Sequence, residues 1–333
     1  MVRRRLAAVG LVALVLSAVA CGTTPAAPTP GRTALTIGLG YIPSVQFAPF
    51  YLADQAGYYS DAGLDVTFQN KIDPDLVTLV GQGAVDIGLA DGTSVIPAVS
   101  QGIPIRYIAT MYSEYPSIVF AKTTSGISSA ADLKGRRIGI PGRYGSSWIM
   151  LQALLGSAGL TPDDVTIVEY PDYGQGAAVA QDAVDAATGF ANNEPVQLRL
   201  SGVETTVLHV DDVVALPGPG LIVGASTIAA KPDAIRAFVA ATLRAMTEIA
   251  ADPAKGLDAA VVAVPDLEKD RATQAAILDA TIAVWRRPVS SAAFGTIDRA
   301  GWAASLDFMT GLGLAPNPVT LDDLVRDDFL PKR

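Results

Sequence analysis

Residues 34–57 read ALTIGLGYIPSVQFAPFYLADQAG. Leu35, Ile37 and Leu39 alternate with smaller or polar neighbours, the period of two that lays one face of a strand on a core. The pattern breaks at Gly40, crosses a polar and aromatic loop at 41–47, and resumes as a helix over 49–56 that stops at Gly57. Strand, loop and helix in that order open a βαβ unit, and the rhythm continues outward. Leu64, Val66 and Phe68 alternate again. Residues 76–80 are helical and end at Gly81; 87–90 form a short buried strand, 93–101 a helix and 105–111 a strand. After a strand at 118–122 the pattern restarts with a strand at 138–140, a helix at 147–158 and strands at 165–168 and 186–189. Amphipathic helices follow near 234–250, 254–264 and 274–285. The alternation predicts a parallel-rich α/β protein rather than a sandwich.

A Pro/Gly cluster, Pro217-Gly218-Pro219-Gly220, precedes another strand-like run at 221–225. It marks the point where the chain returns to its first lobe. Lobe 1 is therefore expected at 34–119 and 218–330, and lobe 2 at 120–217. Ligands of open α/β sheets sit at the carboxyl ends of strands, so two such lobes face each other across a cleft.

The N-terminus carries a different message. Arg3-Arg4-Arg5 precedes an apolar run at 6–19 and then Ala20-Cys21. That is a basic region, a short apolar region and a small-residue cleavage site, predicting a signal peptide at 1–20. The run is too short for a hydrocarbon core that needs about 20 residues. Ser17-Ala18-Val19-Ala20-Cys21 also resembles a bacterial lipobox, and Cys21 is the only cysteine. A lone thiol forms no internal disulfide. The expectation is lipidation of Cys21, a flexible tether at 21–33 rich in Gly, Thr, Pro and Ala, and a location on the outer face of the cell membrane.

With 24 Lys and Arg against 33 Asp and Glu the chain carries a formal charge of -9. Removing residues 1–20, which hold three arginines and no acid, leaves 21 against 33, or -12. Phosphate-backbone binding needs clustered Lys and Arg, so nucleic acid is excluded as a partner. A monomer is expected.

The stretch 40–53 (GYIPSVQFAPFYLA), followed by Gly57-Tyr58-Tyr59 and by Gly63-Leu64-Asp65-Val66, resembles the opening of the SsuA/thiamine-pyrimidine-synthase-like solute-binding proteins. So do GAVDIG at 83–88, ADLKGRRIG at 131–139 and the segment from ATGF at 187–190 through Pro195. These motifs occur in family order and span most of the chain after residue 33. The resemblance implies a type II periplasmic-binding-protein fold, two lobes with a ligand cleft between them, serving an ABC importer through its permease. Within the family, GYIPSVQFAPFYLA and NNEPVQL look most like riboflavin-uptake members, with binders of thiamine pyrimidines next.

Three loops supply candidate ligand contacts. In the first, Tyr41 and Phe47 offer ring faces for a planar ligand, while Ser44 and Gln46 can hydrogen-bond to its polar edge. Phe50 and Tyr51 belong to the helix's buried stripe. In the second, GIPGRYGSSW at 139–148, glycines let backbone N–H groups approach a ligand. Ser146 or Ser147 would cap the next helix, Arg143 would meet an anion, and Tyr144 or Trp148 would stack. In the third, Asn192, Asn193 and Glu194 suit a heterocycle presenting donors and acceptors, although Asn193 also suits a helix cap with Pro195 in the first turn. Asp91, Tyr112, Tyr115 and Tyr173 are secondary candidates.

Catalysis finds little support. His209 is the only histidine and lies in a predicted strand at 205–210. With no second histidine and no cysteine beyond Cys21, Cys–His chemistry and His-rich metal sites are excluded. The eukaryotic-type pyrimidine synthases that share the implied fold depend on an active-site histidine and a cysteine-rich motif. Here the comparable loop holds residues 144–148 and no cysteine. The acid pairs at 163–164, 211–212 and 322–323 sit at turns or helix starts, where capping explains them. The expectation is a binding protein without catalytic residues, cofactor or metal, taking a riboflavin-like vitamin or a thiamine pyrimidine. The alternatives are a sulfonate- or nitrate-type anion binder of the same family, for which only Arg143 and Arg106 offer positive charge, and an extracytoplasmic enzyme.

Overall fold

The computed structural model describes residues 31–71, 75–285 and 293–332. Cys21, the signal segment 1–20 and the tether up to residue 30 lie outside the described residues.

Strand β1 (Thr33–Leu39) realises the alternation read above, with Leu35, Ile37 and Leu39 buried. It pairs in parallel with β2 (Leu64–Asn70) on one side and β3 (Ile87–Asp91) on the other. Helices α1 (Ala48–Gln55) and α2 (Tyr58–Asp61) make the first crossover, α3 (Asp75–Gly81) the second, and α4 (Gly92–Ser100) leads to β4 (Ile105–Thr110). The chain then leaves this sheet. β5 (Ser117–Lys122), β6 (Arg137–Ile140), α5 (Gly145–Ser157), β7 (Thr166–Glu169), α6 (Gln175–Ala180), β8 (Ala186–Phe190), α7 (Glu194–Leu200) and β9 (Thr205–His209) build a second unit. β10 (Pro219–Gly224) returns to the first sheet and inserts antiparallel between β3 and β4.

The two five-stranded sheets are ordered β2-β1-β3-β10-β4 and β7-β6-β8-β5-β9. Each places one antiparallel strand next to a parallel set, because β5 also runs against β8 and β9. A division between residues 119 and 120 would cut β5. The strand begins at Ser117 and its ladder bonds lie wholly in the second sheet, so the crossing falls ahead of Ser117.

The C-terminal helices complete the first lobe. α8 (Ala225–Ala230) leads into α9 (Pro232–Ala251), which buries Ile235, Phe238, Val239, Met246 and Ile249 along one stripe; α10 (Pro253–Ala263) and α11 (Arg271–Val284) follow. Phe238 stacks on Tyr59 at 4.9 Å and lies 6.2 Å from Phe50, which fixes α9 against α1 and α2. Each such fully buried side chain contributes about 1.5–3 kcal/mol of transfer free energy. Periodicity leaves α12 (Arg299–Gly311) unread. Its buried set is only Trp302, Ser305 and Met309 and two glycines sit within it, so its apolar stripe is thin. α13 (Leu321–Leu324) ends the set. Asp164 and Asp323 each close a capping box, with Thr161 and Thr320, and Asp211 accepts the Tyr115 N–H. No helix among the described residues is long and apolar enough to cross a membrane.

Candidate functional site

The carboxyl ends of β1, β3, β6 and β8 converge on a cavity of about 120 Å³ between the two lobes. Lobe 1 supplies Tyr41, Gln46 and Phe47 from the loop after β1, Leu89 to Asp91 from the end of β3, and Tyr112 and Pro219. Lobe 2 supplies Pro141, Tyr144 and the first turn of α5, then Tyr173, Gln175, Phe190, Asn193 and Glu194. Six aromatic rings thus line the space, drawn from both lobes.

Local sequence explains how several of them are aimed. The Tyr41 ring meets Tyr173 edge-on across the cleft, with centroids 4.9 Å apart, and its hydroxyl bonds to the Asn193 side chain. Tyr173 holds a left-handed backbone, φ 60°, which is uncommon for a residue with a side chain and costs about 1 kcal/mol or more. Tyr144 lies at the mouth, 40 % exposed, with its ring folded over Gly142; a Cβ there would stand 2.2 Å from the ring. Gly189 serves the same purpose for Glu194, whose Oε2 would lie 2.7 Å from a Cβ at that position.

Two carboxyl groups border the cavity from opposite lobes. Asp91 bonds to the Ser146 side chain, yet burial pushes its pKa up to about 6. Glu194 accepts the Phe190 N–H at 2.8 Å and a longer bond from Gln175 Nε2 at 3.4 Å. Those donors favour its charged form, but burial outweighs them and lifts it to about 7. Burial also raises the Tyr41 hydroxyl well above its ordinary value, with the Glu194 charge adding to the effect.

Nine of the expected contact residues meet at this cavity: Tyr41, Gln46, Phe47, Asp91, Tyr144, Ser146, Ser147, Asn193 and Glu194. Five do not line it. Ser44 Oγ is taken up inside its own loop, accepting from the backbone N–H and Nε2 of Gln46. Tyr115 is buried at the crossing between lobes, its hydroxyl donating to the Ser146 carbonyl and within reach of Thr93 Oγ1. Arg143 turns outward to Glu169 at 3.4 Å and lies 5.6 Å from the Trp148 ring, so neither guanidinium nor indole reaches the cavity. Asn192 is 1 % exposed and spends its amide on a contact between lobes, with Nδ2 donating to Gln46 Oε1 at 2.9 Å and to Thr281 Oγ1 at 2.8 Å.

The expected caps also differ. α5 starts at Gly145, after Tyr144, so Ser146 and Ser147 fall inside the first turn and cap nothing. Asn193 occupies the cap position of α7 without a side-chain bond to the helix backbone; its Oδ1 accepts from Gln197 instead. Tyr112 and Tyr173, read as secondary candidates, do line the cavity. Phe190 and Gln175 were not foreseen. Phe190 was within reach of the strand-end rule, since it closes β8. Gln175 opens a small-residue helix (QGAAVA) and gives no sequence signal.

Among the described residues, the cavity wall holds no Lys, Arg or His. Arg106 faces Asp323 at 3.8 Å, and His209 sits at the exposed end of β9. Among the described residues no group of three or more His, Cys, Asp or Glu is placed to hold a metal ion. The arrangement suits stacking and hydrogen-bond acceptance rather than anion capture.

Comparison with known proteins agrees with this architecture. The riboflavin-binding protein RibY of Chloroflexus aurantiacus is 33% identical to this chain over 99% of both. A 4-amino-5-hydroxymethyl-2-methylpyrimidine phosphate synthase of Legionella pneumophila is 27% identical over 71% of this chain and 75% of its own. Among solved structures, the alkanesulfonate-binding protein SsuA of Xanthomonas axonopodis pv. citri, bound to MOPS, superposes with a TM-score of 0.69. It covers 90% of this chain and 100% of its own at 21% identity, a likeness of fold. The two-lobed solute-binding architecture implied by residues 40–66 is therefore the one observed. The family profile described as NMT1/THI5 like matches residues 44–256, and the chain belongs to that family.

Proposed function

We propose that the protein captures a planar, ring-containing solute between its lobes and presents it to an ABC permease, and that the solute is riboflavin or a close flavin. The observation that carries this reading is the cavity wall: six aromatic rings from both lobes, interspersed with hydrogen-bonding groups and, among the described residues, without a cation. Rings stack on aromatic faces, and buried polar groups fix their orientation. The full-length similarity to a riboflavin-binding protein supports the same solute. A thiamine pyrimidine is the second reading, favoured by the pyrimidine-synthase relatives. An anion such as a sulfonate fits less well, because Arg143 and Arg106 are both turned to carboxylates away from the cavity.

Titration of riboflavin into the purified protein tests the proposal. Flavin fluorescence is expected to be quenched, and the melting temperature to rise as ligand binds the native state. Neither change at tens of micromolar riboflavin would remove the flavin. Turnover of the pyrimidine by the purified protein would instead favour an enzyme.

The same reading places the protein outside the cytoplasm, held to the outer face of the membrane by a lipid on Cys21. Cys21→Ser is expected to move the protein from the membrane to the soluble fraction while riboflavin affinity stays within about twofold, since every cavity-lining residue follows β1, which begins at Thr33. Retention of the variant on membranes would remove the lipid anchor from the account.

A further inference from the structure

The charged groups that line the cavity among the described residues are of one sign. Asp91 faces in from the end of β3 and Glu194 from the start of α7, so one carboxyl belongs to each lobe. Gln175, 1 % exposed, lines the same cavity with Nε2 committed to Glu194, and its Oε1 has no hydrogen-bond partner. A buried carbonyl oxygen left unpaired is costly, and a ligand N–H or O–H would satisfy it. Among the described residues no Lys, Arg or His stands against these acceptors on the wall. Arg143, on the adjoining loop, is exposed and pairs with Glu169. Burial raises the hydroxyls of Tyr112, Tyr115 and Tyr41, and the Asp91 charge adds to the effect at the first two and the Glu194 charge at the third.

From this placement of one carboxyl in each lobe we propose that Asp91 and Glu194 act as a charge filter, restricting the cleft to uncharged ligands that carry hydrogen-bond donors and rejecting their phosphate esters. The inference rests on the capture reading above and specifies its ligand class. A phosphate adds a charge of about -1.5 to -2 at neutral pH. Enclosed beside two carboxyls, it meets repulsion that solvent screens poorly. Ring stacking alone does not distinguish an ester from its parent alcohol, so the discrimination falls to these two residues.

The test compares riboflavin with riboflavin 5′-phosphate, and the pyrimidine alcohol with its phosphate, by competition against the intact protein at pH 7.5. The phosphate of the binding pair is expected to bind roughly thirtyfold more weakly or worse. Asp91→Asn and Glu194→Gln, each nearly isosteric, should narrow that ratio by about three- to tenfold whatever they do to affinity for the parent alcohol. The ratio is a readout that a purely structural role would not move. Should one variant fold poorly, the other carries the comparison, and the wild-type ratio stands without either. Equal affinity for alcohol and phosphate would overturn the filter and leave capture of a ring intact, with the ester group reaching solvent past Tyr144. An undiminished ratio in a folded variant would also overturn it. Failure of all four compounds to bind would overturn both the filter and the capture reading.

Discussion

Glu194→Gln is expected to raise the melting temperature of the ligand-free protein by about 2–6 °C at pH 8, and to leave it nearly unchanged at pH 4.5. The sign follows from the direction of the shift. Burial lifts the Glu194 carboxyl from its ordinary range to about 7 in the folded protein. An acid whose folded value lies above its unfolded value binds more protons when folded. Its contribution to stability therefore falls as pH rises from about 4.5, and the loss is complete above about pH 7. A full shift of that size corresponds to about 3 kcal/mol at 1.36 kcal/mol per unit. Glu194 is only partly buried, so water access reduces this to about 1–2 kcal/mol.

The amide side chain removes the charge at little structural cost. Its carbonyl still accepts the Phe190 N–H, and its NH2 meets the unpaired Gln175 Oε1 once that amide turns over. The groups bonded to Glu194 or next to it (the Phe190 N–H, Gln175 and the Tyr41 hydroxyl) do not titrate in the same range, and Asp91 across the cavity, pushed up to about 6, is present in both proteins and largely cancels in their difference. Thermal melts of wild type and variant across pH 4.5–8 check the result. A gap that stays constant with pH would show that Glu194 is not a buried, titrating group. Carrying an ionised carboxyl at a stability cost is what a binding site does when the ligand supplies the missing donors.

Much of the architecture was legible because it depends on local periodicity. Leu35, Ile37 and Leu39 announce β1, and the strand-end rule then places Tyr41, Gln46, Asp91 and Asn193 on the cleft without any tertiary information. Where residue chemistry was read without direction, the expectation failed. Arg143 and Trp148 have the right chemistry for a ligand, but Arg143 turns to Glu169 and Trp148, on α5, packs against the core of lobe 2. Ser44 and Asn192 have the right polarity, and protein partners already occupy their bonding groups. Gln175 could not be found in this way, because it enters the cavity only when α6 is packed on β8 and the lobes are brought together. Tyr115 looked like a cleft aromatic, yet its hydroxyl reaches Thr93 of one lobe and Ser146 of the other, a hinge arrangement that only topology reveals.

Asn192→Leu is expected to weaken riboflavin binding by roughly five- to thirtyfold through the closing of the lobes, although Asn192 does not line the cavity. Its amide NH2 donates at once to Gln46 in the loop after β1 and to Thr281 on α11, two elements of lobe 1, while Asn192 itself follows β8 in lobe 2. All three side chains are at least 93 % buried, with exposures of 1 %, 7 % and 0 %. With the lobes apart, water hydrates these groups. With the lobes closed around leucine, Gln46 Oε1 loses its donor in a site water does not reach. An unpaired buried acceptor costs about 1–3 kcal/mol. Asn192 Oδ1 has no partner either, so removing it returns part of that cost and sets the expected net at about 1–2 kcal/mol. Affinity scales with the fraction of molecules able to close, so the penalty appears as weaker apparent binding and faster release. Because Gln46 also lines the cavity, its side chain joins ligand contact to lobe contact in one group, held from the other side by Ser44 Oγ. Stopped-flow release of riboflavin, with small-angle scattering of the ligand-free variant, separates closure from direct contact. A faster release with a larger radius of gyration is the expected outcome. Wild-type release kinetics in the variant would mean that the Asn192–Gln46–Thr281 bonds do not hold the lobes together.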